Sequence, residues 1–359
     1  MTALVRLTEH FLRFLRRYPW LVALVGFFSG VASFLLVERK ESLAQLIAVL
    51  MLVSWLGLVL ENSLRRRLAR WLGIEIPAEA LRFATQIVHQ ESLFFVLPFF
   101  LITTTWASTQ TVFTLMLGSA ALVSLIDPLY YRMAKRRWLY LSFHSFTLFA
   151  ALLATLPLML HLTTGQSYQL ALLVAVLLAF PSLSALLPNG RWWRTPMLLA
   201  LLGALGVGGW MARHQVPPAT LWLTRVAVTE QIDSEARAPG TSYRQIAERR
   251  LHTDGLYAYT AIRAPRGLKE RIYHVWLLDG VEVDRIALDI SGGRKEGYRA
   301  WTHKRHFPAQ SAGEWQVLVL TETGQMIGRL DFSVVAVNAP ASGEYPARPG
   351  QTSAVLPAG

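Results

Sequence analysis

Long apolar runs fill much of the first 212 residues, and short alternating runs of apolar and polar residues fill most of the remainder. A bilayer core requires about 20 mainly apolar residues per helix, so each long run is a candidate membrane span. Seven stretches meet or approach this length: Trp20–Val37, Leu43–Leu60, Ile87–Trp106, Thr111–Ile126, Trp138–Leu160, Leu170–Leu187 and Pro196–Met211. The first is longer than the apolar core of a signal peptide and is predicted to be an uncleaved anchor. We therefore predict an α-helical membrane bundle of about seven transmembrane helices over residues 1–212.

Basic residues alternate between the loops that separate these runs. The N-terminal tail and the second, fourth and sixth loops contain 15 Lys and Arg residues, whereas the other three loops contain only Arg39 and Lys40. Because cytoplasmic loops are enriched in basic residues, the N-terminus is predicted to be cytoplasmic and the chain after Met211 to lie on the opposite side. A miscounted short helix, for which Thr111–Ile126 is the first candidate, would instead place the C-terminal part in the cytoplasm.

After Met211 the hydrophobic pattern changes to short β-rich runs. The seven runs are Leu221–Thr229, Leu256–Arg263, Arg271–Leu278, Val281–Ile290, Gly297–His303, Glu314–Thr321 and Ile327–Val337. Asp279-Gly280 and Gly324 predict hairpin turns between them, and Trp276 and Trp315 are predicted core residues. The pattern predicts an all-β immunoglobulin-like sandwich over residues 213–338. The Pro-, Ala- and Gly-rich segment 339–359 is predicted to be a disordered tail.

Composition narrows the classes of function. Only 16% of the residues are charged, against about 25% in soluble domains, which excludes a purely soluble protein. Cysteine is absent, so disulfides and cysteine nucleophiles are excluded, and packing alone is predicted to hold the β-sandwich together. The net charge of +12 divides into +9 before residue 213 and +3 after it. No basic stripe is left to bind nucleic acid, and nucleic acid is not expected as a partner.

Polar side chains inside the predicted spans are the first candidates for a functional site, because ionisable groups are costly in a bilayer. Counting along the spans places five of them toward the cytoplasmic leaflet: His89, Gln90, Glu91, Asp127 and His144. We predict that they form one polar cluster. Three interpretations remain open, namely structural polar contacts at helix ends, a proton-relay or lipid-headgroup site, and a divalent metal site. The sequence does not decide whether a metal binds, and no organic cofactor is expected.

A second candidate site lies in the predicted β-domain, where aromatic and basic residues interleave. The residues are Arg299, Trp301, His303 and Lys304. Arginine and lysine bind phosphate or carboxylate, and the indole of Trp301 offers a ring on which a sugar can stack. The alternative is an ordinary strand followed by a solvated run of charges.

Several motifs in the β-rich part resemble a known family. The segments HVWLLDGVEV, GYRAWTHK and GEWQVLVLTETGQMIGRLDFSV, in this order, resemble the bacterial domain of unknown function numbered 2914. The residues that match its pattern are His274, Trp276, Arg299, Lys304, Gly313, Trp315, Phe332 and Val334. Tyr298 stands where that family often has Trp.

The apolar half resembles a second family of unknown function, the one numbered 5924, through HQESLFFVLPFFLITTTW and IDPLYYRMAKRR. Together the two resemblances cover most of the chain. They imply a location in the bacterial inner membrane with a periplasmic accessory domain, and they imply no activity.

Two classes of function follow from these observations. The first is a membrane-anchored binding or interaction protein that presents the β-sandwich to a periplasmic protein or glycan. The alternative is a membrane-embedded enzyme or carrier that uses the polar cluster near the cytoplasmic leaflet. The sequence contains no nucleotide-binding loop, HExxH or GxSxG motif, so whether the chain is an enzyme stays open.

Overall fold

The computed structural model describes residues 78–187 and 192–336, together with four isolated helical positions before them. Apart from those positions, the predicted spans Trp20–Val37 and Leu43–Leu60 lie outside the described residues, as does the predicted tail 339–359. Within the described part, a helical region is followed by a β-rich region.

Six α-helices precede the strands in the described part of the chain. They are α1 (Ala78–Thr103), α2 (Gln110–Leu125), α3 (Asp127–Lys135), α4 (Arg137–Leu160), α5 (Thr164–Leu186) and α6 (Arg194–Met211), and a 3-10 turn at Ala212–Gln215 follows. The five predicted spans in this part overlap α1, α2, α4, α5 and α6. Within the described residues, three helices are long and apolar enough to cross a membrane: Phe83–Thr103, Arg137–Leu160 and Arg194–Gln215. The apolar stretch of α5, Thr164–Phe180, is shorter.

The predicted span Thr111–Ile126 corresponds to the continuous helix α2, and the chain bends sharply directly after it. Helix α2 ends at Leu125, and α3 starts at Asp127 after a bend of 99°. Pro128 lies at the start of α3, where its missing N–H and fixed φ are compatible with a first helical turn. The basic segment after α2, predicted to be a loop, is therefore a short helix that buries Tyr130 and Met133.

Ten strands form the β-rich region. They are β1 (Trp222–Thr229), β2 (Ile232–Asp233), β3 (Ala238–Pro239), β4 (Gln245–Ala247), β5 (Leu256–Arg263), β6 (Lys269–Leu278), β7 (Val281–Ser291), β8 (Tyr298–Lys304), β9 (Gly313–Thr321) and β10 (Met326–Val335). A helix, α7 (Glu248–Asp254), lies between β4 and β5. The seven predicted strands are all present within two residues at each end. The short elements β2, β3 and β4 were missed because two or three residues show no alternation.

The strands assemble into two main sheets that share one core. The order is β4-β10-β9-β6-β7 in the five-stranded sheet and β1-β5-β8 in the three-stranded sheet. All pairs in them are antiparallel except β4 with β10. Trp276 and Trp315 are fully buried in the shared core, as predicted. Asp279 and Gly280 have φ of 50° and 82°, which is the type I′ turn expected between β6 and β7.

Apolar packing is accompanied by polar side-chain contacts that join the two sheets. His274 on β6 is fully buried between the sheets. Its Nε2 lies 3.1 Å from Oγ1 of Thr260 on β5, and its Nδ1 lies 3.0 Å from Oγ1 of Thr302 on β8. One imidazole therefore links the five-stranded sheet to two strands of the three-stranded sheet. Burial lowers the pKa of His274 to about 3, so the ring is neutral.

The chain divides into two compact units. Among the described residues, the helical unit comprises 78–99, 114–159, 168–187 and 192–211, and the β-rich unit comprises 100–113, 160–167 and 212–336. Two turns between helices therefore belong with the sheets. In this β-rich unit, Nε2 of Gln110 donates to the carbonyl of Met326 at 2.8 Å, and Nε of Arg213 donates to the carbonyl of Thr323 at 2.9 Å.

Candidate functional site

A buried histidine lies at the centre of the polar contacts in the helical unit. His89 of α1 is fully buried. Its Nδ1 lies 2.8 Å from the hydroxyl of Tyr130 on α3, and its Nε2 lies 3.1 Å from Nδ1 of His144 on α4. Tyr140 of α4 lies edge-on to His89, and its ring is inclined by 29° to the His144 ring. We call Tyr130, His89 and His144 the histidine relay.

A second set of polar contacts lies on the same face of α1. Gln86 and Gln90, one turn apart, both donate to the carbonyl of Ser124, at 3.1 and 2.6 Å. Gln86 also donates to the carboxylate of Asp127 at 2.7 Å. Ser124 lies in the last turn of α2, where carbonyls have no partner within the helix. These two glutamines therefore provide hydrogen-bond donors for a carbonyl at the end of α2, next to the bend, and have a structural role.

The five predicted intramembrane residues separate into three environments. His89 and His144 are hydrogen-bonded to each other. Gln90 and Asp127 belong to the contacts at the end of α2. Glu91 is exposed and lies in neither set.

Sequence reasoning missed Gln86 and Tyr130. The Asp-Pro pair at the start of α3 is a helix-start signal. A helix predicted from that signal would have included Tyr130, which the prediction instead assigned to a loop. Gln86 lies just before the counted span and gave no separate signal.

The contacts of the histidine relay form one continuous chain of hydrogen bonds. When the Tyr130 hydroxyl donates to Nδ1 of His89, Nε2 of His89 carries a proton and donates it to Nδ1 of His144. Nε2 of His144 then carries the next proton. A metal has less support, because no group of three or more His, Asp or Glu side chains is placed to hold one among the described residues.

The predicted surface on β8 is already occupied by contacts within the domain. Arg299, Trp301 and His303 alternate along one face of the strand. Arg299 donates to the carboxylate of Glu296 at 2.7 Å. Trp301 stacks with Tyr259, and His303 stacks with Tyr257 at 3.9 Å between ring centroids.

Lys304 does not lie on that face. Its side chain is buried on the other side of β8, and its ammonium group is 2.7 Å from the carboxylate of Asp284. The period of two in a strand explains the difference, because Lys304 directly follows His303 and points the opposite way.

A buried carboxylate in the β-rich unit was not predicted. Glu270 of β6 is 4% exposed and accepts hydrogen bonds from the amide and the hydroxyl of Thr164, at 2.8 and 2.9 Å. Burial raises its pKa to about 7, and the two Thr164 hydrogen bonds oppose that shift. The signal was present in the sequence, because Glu270 is in phase with the inward residues Ile272 and His274 of the same strand.

Comparison with known families gives two matches. The model of a family of unknown function, DUF5924, matches residues 1–258, and the model of a protein of unknown function, DUF2914, matches residues 269–334. The first match extends past the helices as far as β5. No curated protein and no solved structure matches the chain significantly.

Proposed function

We propose that this chain, which belongs to the family of unknown function DUF5924, is an integral protein of the bacterial inner membrane that presents a periplasmic β-sandwich as a binding module. In this proposal residues 1–212 form a multi-pass bundle of about seven transmembrane helices, and residues 213–338 form the immunoglobulin-like domain. The partner is a periplasmic protein or a glycan.

The observation that carries the proposal is the exposure of apolar side chains on the helices. Those more than half exposed are Val112, Leu115, Met116, Leu122, Leu160, Leu173, Leu177, Leu199, Val207 and Met211. In α6 and the turn after it, only 6% of the apolar stretch is buried. Soluble proteins rarely expose contiguous apolar surface of this kind, whereas a bilayer solvates it.

The orientation is supported by the distribution of charge around α4. This helix begins at Arg137, next to Arg132, Lys135 and Arg136. It ends at Leu160, and the turn that follows contains no Lys or Arg and belongs to the β-rich unit. The positive-inside rule assigns the basic end of such a helix to the cytoplasm, which assigns the β-rich unit to the periplasm.

The absence of cysteine allows a direct test by single-cysteine labelling. Val281→Cys places a thiol at a turn of the β-domain where the native side chain is 69% exposed, and Arg136→Cys places one in the basic segment. In spheroplasts, a membrane-impermeant maleimide is expected to label the first variant before lysis and the second only after lysis. The cysteine-free parent is the blank. Labelling of both before lysis, or the reverse pattern, would overturn the proposal.

The second candidate function is a membrane-embedded enzyme or carrier, and the hydrogen bond between His89 and His144 is the observation that favours it. His144→Gln keeps an amide near His89 but removes the group that takes up a proton. Glu91→Gln is the matched control, since Glu91 is exposed outside the histidine relay. Loss of the cellular phenotype in His144→Gln alone, at unchanged membrane level, would support this alternative. Full complementation by both variants supports the binding protein.

A further inference from the structure

The turns of the β-domain that contact the segments between helices all lie at one end of the domain. The strand register places Lys269 beside Ser291 and Trp222 beside Arg263, so the turns 264–268 and 292–297 lie at the same end. The β9–β10 turn also lies there, because Thr321 pairs with Ile272 near the start of β6. The opposite end contains the β6–β7 turn and the loop between β8 and β9.

The end with these turns contacts residues that directly border apolar helices. Gly267 packs so closely on the ring of His161 that an added Cβ would lie 2.6 Å from it, and His161 is the first residue after α4. Glu270 binds Thr164, which begins α5, and Arg213, two residues after α6, binds Thr323. If α4, α5 and α6 cross the membrane as proposed above, this end of the domain lies at headgroup depth.

The same end is rich in positive charge. Its basic side chains are Arg263, Arg266, Lys269, Arg294, Lys295 and Arg299, which we call the basic end. Its carboxylates are Glu270, which is buried, Glu296, which is paired with Arg299, and Glu322, which is exposed in the β9–β10 turn, so the basic side chains remain in excess. Arg294, Lys295 and Arg299, with Glu296 and Gly297, also line an open cavity of about 410 Å³, which has room for a phosphate group between cationic side chains.

Aromatic rings accompany these charges. The guanidinium of Arg263 lies 5.1 Å from the centre of the Trp222 ring, and that of Arg294 lies 5.5 Å from the centre of the Tyr298 ring. Tryptophan and tyrosine are enriched where a protein meets the headgroup layer. At the far end, by contrast, basic side chains are matched by acidic ones, as in the pairs Lys304–Asp284 and Arg285–Glu282.

We propose that the basic end is a docking surface for anionic phospholipid headgroups of the periplasmic leaflet. The inference rests on the proposed function, because it requires the apolar helices to cross a membrane. It names anionic lipid as the partner of this surface. In this arrangement the basic end contacts the bilayer, and the opposite end of the β-domain points away from it. Lysine and arginine near an anionic leaflet are attracted to it, and this attraction is screened by salt.

The orientation is measured by the depth of two labels on one strand. Ser291→Cys and Val281→Cys are both exposed positions at the two ends of β7, about 33 Å apart at about 3.3 Å per residue. The full chain is placed in nanodiscs of phosphatidylcholine with or without phosphatidylglycerol, and a fluorophore on each cysteine is quenched by a headgroup-linked spin label. We expect several-fold stronger quenching at 291 than at 281. Equal quenching at both positions, or none at 291, would overturn the proposal.

The role of charge is measured by paired variants. Arg294→Gln with Lys295→Gln is expected to remove the increase in quenching at position 291 that phosphatidylglycerol causes. Arg249→Gln with Arg250→Gln, exposed on α7 toward the far end, is the matched control and is expected to keep it. High salt should act like the first pair. If phosphatidylglycerol has no effect on the wild-type chain, the surface does not bind anionic lipid and the proposal fails.

Failure of the proposed function would give a different result. A chain that does not span the membrane would not stay in the nanodiscs through gel filtration, whatever their lipid composition. A chain that stays in them but shows no dependence on phosphatidylglycerol retains the proposed function and contradicts only the docking surface.

Discussion

Two buried histidines, one in each unit, have similar surroundings and different consequences. His89 in the helical unit and His274 in the β-rich unit are both fully buried, and both use both ring nitrogens in hydrogen bonds. The partners of His274 are two threonines, which neither take up nor release a proton in the physiological range. The partners of His89 are a phenol and a second imidazole, and only the imidazole belongs to a class of side chain that titrates near neutral pH.

The difference shows that burial and hydrogen bonding alone do not identify a functional histidine. At His274 the network reaches no second titratable side chain, since the Thr260 hydroxyl bonds onward only to the carbonyl of Ala300 at 3.4 Å, so the ring acts as a fixed link between two sheets. At His89 the network continues to a second imidazole, whose other ring nitrogen is able to bond onward. The groups to which each histidine's hydrogen-bond partners bond in turn therefore decide which interpretation each site supports.

The variant with the largest expected effect tests whether apolar packing or the His274 link contributes more to the stability of the β-domain. Trp315 is fully buried and its indole N–H donates to the carbonyl of Ser311 at 2.8 Å. Trp315→Ala is expected to lower the free energy of unfolding by about 3–5 kcal/mol, through lost burial and the cavity left behind. Hydrogen exchange of β6 and β9 in the full chain in detergent measures it. An unchanged exchange rate would mean that the ring does not hold the core.

Removal of the His274 imidazole is expected to lower the free energy of unfolding by a smaller amount. His274→Leu keeps apolar volume but leaves the hydroxyls of Thr260 and Thr302 buried without their imidazole partner, at about 2–3 kcal/mol. The triple variant that adds Thr260→Val and Thr302→Val removes the unpaired groups and should recover part of the loss. The same exchange measurement applies. If the triple variant is no more stable than His274→Leu, unpaired hydroxyls are not the cause.

The sequence predicted the long regular elements well, because their hydrophobic period is visible in one strand or one helix. The seven long strands and the Asp279-Gly280 turn are examples. It did not predict contacts that join distant segments, such as His274 with Thr260 and Thr302. Each of these side chains occupies an ordinary inward position, and only the pairing of the two sheets brings them together.

The candidate sites show the same limit. The count along the spans found His89 and His144 but could not show that they touch, because that depends on how α1 packs against α4. It also grouped Glu91 with them, although a position two residues along a helix points about 200° away. The positive charges on β8 were visible in the sequence, yet the side chain of Lys304 is buried and pairs with Asp284, a contact that only the pairing of strands reveals.

The pH dependence of stability gives a third test, because His274 and Glu270 act in opposite directions. The pKa of His274 falls from 6.5 to about 3 on folding, so the unfolded chain binds the proton more tightly and stability is lost as pH falls from about 6.5 toward 3. The pKa of Glu270 rises from 4.5 to about 7, so stability is lost as pH rises through that interval. Each slope is about 1.4 kcal/mol per pH unit, and the two oppose each other between pH 4.5 and 6.5.

Variants separate the two slopes. Glu270→Gln should flatten the profile of unfolding free energy on the neutral side, and His274→Leu should flatten it on the acid side. Chemical denaturation of the full chain in detergent between pH 3 and 8 provides the profiles. A Glu270→Gln variant that still loses stability from pH 5 to 7 would show that another group controls that interval.

The smallest expected effect compares the two histidines directly, since each has one hydroxyl partner on Nδ1. Tyr130→Phe and Thr302→Val each delete a single hydroxyl, which lies 2.8 Å from His89 or 3.0 Å from His274. Each change is expected to cost about 1 kcal/mol, because it leaves one ring nitrogen buried without its partner. If the chain is a binding protein, the two variants should also complement equally in cells, since only stability changes. A loss of phenotype in Tyr130→Phe alone, at a stability loss equal to that of Thr302→Val, would show that the histidine relay carries protons and would favour the membrane-embedded enzyme or carrier.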